Sequence, residues 1–97
     1  MNVSEIQSGM MGIRVTGTIK TIGEIREVQT KFGNRTTVAN AILSDDSGEV
    51  KFTLWGDQIQ KVKIGDNVEV VNGMAKEWQG EIQISVGKRG ELNVLQK

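Results

Sequence analysis

From Glu49 to Trp55 the chain alternates without a break. Val50, Phe52 and Leu54 are apolar, and Lys51, Thr53 and Trp55 fall between them. A period of two sends successive side chains to opposite faces of an extended strand; a helix would scatter the same residues around its axis. The pattern recurs elsewhere. Ile13, Val15 and Ile19 share one parity, and Arg14, Thr16, Thr18 and Lys20 the other. Ile82, Ile84 and Val86 alternate with Glu81, Gln83 and Ser85. Composition agrees: Ile, Val and Thr supply 28 residues, Ala and Leu only 7. β-branched side chains suit a pleated surface and are stiff in helices. The chain therefore reads as mainly β.

With 97 residues there is room for one core. Cysteine is absent, so no disulfide braces it. A closed barrel solves the problem of exposed strand edges at this size. Proline is absent too, so the turns fall to Gly, Asn, Asp and Ser.

Residues 2–8 predict one helical turn, with Val3 and Ile6 plugging a barrel end and Gly9 stopping it. The first strand is expected over residues 12–28. It is long and must coil, with Gly17 on its inner set and Gly23 interrupting it. Residues 31–35 form a loop around Gly33-Asn34. The second strand covers residues 36–44, Asp45-Asp46-Ser47-Gly48 is a tight turn, and residues 49–55 are the third strand. Residues 56–65 hold a short helix or loop with Ile59, Val62 and Ile64 as its apolar contacts. The fourth strand spans residues 67–78, Gln79-Gly80 is a hairpin tip, and residues 81–86 return as the fifth. Gly87-Lys88-Arg89-Gly90 is read as a basic glycine loop. Five strands with a connector between the third and fourth is the order of an OB-fold barrel. An SH3-like barrel, which normally lacks that connector, ranks second. The expected inward set is Val15, Phe52, Leu54, Val68, Val70, Ile82 and Ile84.

Catalysis finds little support. Without histidine or cysteine, only Asp, Glu and Lys remain as acids and bases. Asp45 and Asp46 are neighbours on a turn and point apart. No phosphate-cradling glycine motif or EF-hand spacing is present, and no cofactor is expected. The apolar runs are a few residues long and no leader pattern opens the chain, so neither a membrane nor export is expected. The expected localisation is cytoplasmic, at the nucleoid.

The four aromatics carry more information. Phe52 has core parity. Trp55 has the opposite parity and shares its face with Lys51 and Thr53. Trp78 stands at the hairpin tip beside Lys76. Phe32 lies in the first loop with Lys31 and Arg35. On an OB barrel the second and third strands form a binding face, flanked by the loops joining strands one–two and four–five. Flat rings interleaved with cations are what unpaired nucleic acid requires: bases stack and the cations track phosphates. Net charge is zero, but residues 31–44 and 82–90 contain no acidic residue. A polyanion would be held by local charge.

The run Asp46-Ser47-Gly48-Glu49-Val50-Lys51-Phe52-Thr53-Leu54-Trp55-Gly56-Asp57 is similar to the second-turn and third-strand motif of archaeal single-stranded DNA-binding proteins. Ile64-Gly65-Asp66-Asn67-Val68-Glu69-Val70, the segment from Asn72 to Gly80, and Val86-Gly87-Lys88-Arg89-Gly90-Glu91-Leu92 continue the likeness. It extends to replication protein A and covers about residues 4–95. The resemblance implies an OB fold that binds single-stranded DNA with little sequence preference in replication, repair and recombination. Trp55 and Trp78 would be its stacking residues. A further aromatic four residues before the tip is Met74 here, and strand five has Ser85 or Val86 where many relatives have an aromatic. A methionine can lie against a base without offering a π face. The implied interface is Lys31, Phe32, Arg35, Lys51, Thr53, Trp55, Met74, Lys76, Trp78, Lys88 and Arg89. The chain is expected to be one module of a longer multi-OB protein, with other OB domains or replication and repair proteins as partners. An assembly module with weak or no DNA binding is the alternative, and RNA stays open because stacking does not sense the sugar.

Overall fold

In the computed structural model, which describes residues 2–29 and 33–95, six strands form one sheet that closes on itself. They are β1 (Met11–Ile22), β2 (Arg26–Gln29), β3 (Arg35–Asp45), β4 (Gly48–Trp55), β5 (Asn67–Trp78) and β6 (Glu81–Leu95). The order β1-β5-β6-β4-β3 closes through a β1–β3 pairing, and β2 extends the sheet beyond β3. The side chains of Trp78 and residues 87–89 lie outside this description. The barrel is the expected OB arrangement, with the long first strand broken into β1 and β2 at Gly23, whose N–H donates to the Asn40 carbonyl at 2.7 Å.

Closure depends on β1 changing partners. Its first part pairs with β5 and its end with β3; Thr18 faces both Asn67 and Ser44. At the crossover the backbones come close. A Cβ on Gly17 would stand 2.7 Å from the Ser44 carbonyl oxygen and 3.0 Å from Leu43 Cγ, so only glycine fits. At the β5–β6 tip, Gln79 and Gly80 both have positive φ (53° and 81°), the turn whose twist matches a hairpin.

Inside the barrel, Ile13, Val15, Ile19, Leu43, Phe52, Leu54, Val68, Val70 and Ile84 are essentially inaccessible. Ile82 is half-buried and packs against them. The period-two reading therefore places the core. β6 is longer than expected. Residues 87–90, read as a loop, belong to the strand but lie opposite Asn72 alone, because Val86 pairs with Gly73 and Glu91 with Val71. The ladder is interrupted here without ending, and pairing resumes through Leu92 and Val94; Gly90 lies so close to β5 that a Cβ would stand 2.9 Å from the Val71 carbonyl oxygen.

The connector is a short helix, α1 (Asp57–Lys61), with Ile59 and Val62 buried. Ile64 departs from expectation and is 63% exposed. It sits in a turn closed by the Asp66 N–H to the Lys63 carbonyl, and Gly65 donates to the Ile19 carbonyl at 2.7 Å. These backbone bonds fix the turn against β1 and leave Ile64 facing water. No helix among the described residues is long and apolar enough to cross a membrane.

A 3-10 turn (Val3–Glu5) covers one barrel end, with Val3 and Ile6 buried. Asp45 ties it down. Its carboxylate accepts from the Val3 N–H at 2.9 Å, from Ser47 N–H at 2.7 Å and hydroxyl, and from Gly48 N–H at 3.2 Å. The Ser47 hydroxyl foremost, then the Val3 amide, holds the Asp45 carboxyl below its ordinary value of 3.8. A depressed carboxylate contributes stability that is fully present above 3.8 and is lost as pH falls through the lowered value. The parent should therefore have a higher denaturation midpoint than Asp45→Asn at pH 6. The gap should close as the pH falls below 3.8. A gap that persists unchanged at pH 2 would rule out this carboxylate as its source.

Candidate nucleic-acid interface

The outer face is ordered by strand register. Arg26, Val38 and Trp55 form one row across β2, β3 and β4. The next row runs Asn40, Thr53, Ser85, Met74 and Met11 across five strands. A third contains Ile42, Lys51, Gln83 and Lys76. Neighbouring strands lie about 4.8 Å apart and successive rows about 6.7 Å apart. Thr53, Trp55, Lys51, Met74 and Lys76, far apart in sequence, therefore share one surface. The parallel β4–β6 pairing joins its two halves.

Trp55 is 42% exposed on this surface. Its backbone N–H donates to Gln58 Oε1 of α1 at 3.0 Å, which fixes the end of β4 that carries the indole. Val38, its cross-strand neighbour, is 6% exposed yet does not belong to the barrel core. It is the floor of an open groove walled by Trp55, Arg26, Val28, Asn40, Thr53 and Gln83. The groove is apolar beneath and polar at the rim. Among the described residues, the side chains of Asn40, Thr53 and Gln83 make no hydrogen bond with another side chain or the backbone.

Sequence reasoning missed Val38, Asn40 and Gln83. Their signal was present as parity: Val38 and Asn40 alternate with the core residues Ala39 and Ala41. What parity lacked was the pairing of β3 with β4 and of β4 with β6, which sets them around Trp55.

The cations are less free than expected. Lys51 Nζ is paired with the Glu81 carboxylate. Arg35 Nη1 lies 3.2 Å from Glu27 Oε1. Lys76 is exposed, with no ion pair among the described residues. The acid-free stretches in the sequence do not make an acid-free surface, because the antiparallel β2–β3 pairing sets Glu27 against Arg35 and the parallel β4–β6 pairing brings Glu81 to Lys51.

Lys31 and Phe32 lie outside the described residues. The backbone places Trp78 opposite Glu81 at the hairpin end of β5. Residues 87–89 continue β6 past Ser85. Because β4 runs parallel and Thr53 is level with Ser85, they leave the ladder near the level of Trp55.

Comparison with known proteins places this geometry in a family. The family model for the Ssb-like single-stranded DNA-binding protein, OB fold, matches residues 7–94. The chain is 32% identical over 90 residues to the single-stranded DNA-binding protein Ssb of Saccharolobus solfataricus, an alignment covering 93% of this chain and 60% of that protein. It is 25% identical to replication factor A of Methanothermobacter thermautotrophicus, of which it spans 12%. It therefore spans less than two thirds of the curated relatives it matches. A crystal structure of a domain of replication protein A from Methanococcus maripaludis superposes with a TM-score of 0.78 at 28% identity, covering 100% of this chain and 96% of that one. Barrel topology, connector position and the matched span converge: the chain belongs to the Ssb-like family of OB-fold single-stranded DNA-binding proteins.

Proposed function

We propose that this domain binds single-stranded DNA with little sequence preference and serves in replication, repair and recombination. The observation that carries the reading is Trp55: a large indole exposed on an outer strand face, over the apolar floor of Val38, with Lys51 and Thr53 on the same strand. Bases stack on Trp55, and Trp78 supplies a second ring from the hairpin tip. Met74 contributes an apolar contact between the two strand ends. Lys51, Lys76 and Arg35 meet phosphates, with Lys31, Lys88 and Arg89 as further contacts and Phe32 as a third ring. Asn40 and Gln83 fit an unselective site, because a carboxamide offers both a donor and an acceptor and can turn over to suit any base edge.

Single strands should bind at least tenfold more tightly than duplex at moderate salt, because duplex hides the base faces that Trp55 would meet. Tryptophan fluorescence titrated with oligo-dT, oligo-rU and a duplex of equal length checks this. Equal affinity for single strand and duplex would point to charge binding alone. An oligo-rU curve matching oligo-dT would extend the ligand to RNA. A flat response to all three at high protein concentration would replace this reading with an assembly module, whose partners would be other OB domains or replication and repair proteins.

A further inference from the structure

Lys51 occupies the third row of the face, level with Ile42, Gln83 and Lys76. It is the natural place for a phosphate running past Trp55, yet its ammonium is already engaged by Glu81. Glu81 begins β6 opposite Trp78, two residues before Gln83. The two side chains are 39% and 57% exposed. Exposed pairs of this kind contribute little to stability. The core residues beneath, Phe52 and Ile84, hold these strands together without it.

The consequence of the pair is electrostatic. A carboxylate oxygen and a phosphodiester oxygen make the same demand on an ammonium: one anionic acceptor at hydrogen-bond distance. The strand must displace Glu81 from Lys51 and then pass a freed negative charge. A carboxylate held there both blocks a contact and repels the backbone. Lys76, in the same row without an ion pair among the described residues, has no such competitor.

We propose that Glu81 is an intramolecular stand-in for phosphate. It occupies Lys51 in the free protein, competes with the nucleic-acid backbone, and so sets the affinity and weakens its dependence on salt. The idea rests on the single-strand reading of this face. It goes beyond that reading by assigning an acidic residue a role in tuning the site.

The test is a cycle of four proteins: the parent, Glu81→Gln, Lys51→Gln and the double variant. Each is titrated with oligo-dT at low and moderate salt by tryptophan fluorescence, with circular dichroism as the folding control. Glu81→Gln should bind about three- to tenfold more tightly at low salt, the size of one exposed charge interaction. Its salt slope should steepen by about 0.7, the value for one further phosphate neutralised on a single strand. Lys51→Gln alone should weaken binding, but less than the same change in the Glu81→Gln background, because in the parent that lysine meets phosphate only in competition with Glu81. In the Glu81→Gln background the same change should remove most of the gain and return the slope to the parent's. If the parent binds and Glu81→Gln binds no more tightly, the competition is disproved while the single-strand reading stands. Weaker binding by Glu81→Gln would also overturn it and make the pair a brace for the hairpin. If the parent does not bind oligo-dT at all, both readings fall together.

Discussion

Trp55→Ala should lose ten- to a hundredfold in affinity for oligo-dT while the protein stays folded. The size follows from base–aromatic stacking, which is worth roughly 1–3 kcal/mol per base, and about 1.4 kcal/mol is tenfold in affinity. The intact fold follows from the site. Trp55 lies at the outer end of β4, substantially exposed, and is not part of the barrel core. Its truncation uncovers Val38 but opens no cavity in the barrel. Trp55→Phe should recover part of the loss, because a ring is restored, whereas Trp55→Leu should recover less. Affinity by fluorescence anisotropy of a labelled oligonucleotide avoids losing the reporter with the residue. A folded Trp55→Ala protein that binds like the parent would remove stacking at this position from the mechanism.

Phe52→Ala, three residues away, should do the opposite. Phe52 is completely buried in the barrel, between Ala41 on β3 and Ile84 on β6 in register. Replacing a core phenylalanine by alanine costs about 3–5 kcal/mol, from lost burial and the cavity left behind. Small domains have only about 5–15 kcal/mol of stability in all. The variant should therefore show a large drop in its urea midpoint, or populate the unfolded state without denaturant. Any loss of DNA binding should follow the unfolded fraction. Where the variant is still folded, its affinity should approach that of the parent. If it unfolds at the parent's midpoint, the inward placement of Phe52 is wrong. The two substitutions together test one statement about β4: even positions point into the barrel and odd positions point outward.

That statement was available before any coordinates, because it depends only on local geometry. A strand sends successive side chains to opposite faces, so Val50, Phe52 and Leu54 declare the inner face and Lys51, Thr53 and Trp55 the outer one. The same reasoning found the hairpin at Gln79-Gly80 and the order of strands that makes an OB barrel. It also marked Gly23 as a break.

Local geometry failed wherever the answer depended on which segments meet. Ile64 was apolar and close to a helix, but backbone bonds to β1 turn it toward water. Residues 87–90 had the composition of a loop, yet β5 pairs with β6 on both sides of them, at Val86 and at Glu91, so they interrupt the ladder without ending the strand. Val38 was an outer-face residue by parity, and only Trp55 across the strand pair shows why it is buried. Charge gave the clearest case. Residues 31–44 and 82–90 lack acids, which in one dimension describes a basic surface. In three dimensions a hairpin sets Glu27 against Arg35, eight residues apart, and β6 sets Glu81 against Lys51, thirty apart. Side-chain parity is a property of one strand, and the sequence alone determined it. The partners of a charge are a property of register between strands. Register is decided only when the whole barrel closes around its core, because a one-residue slip would turn every buried side chain outward.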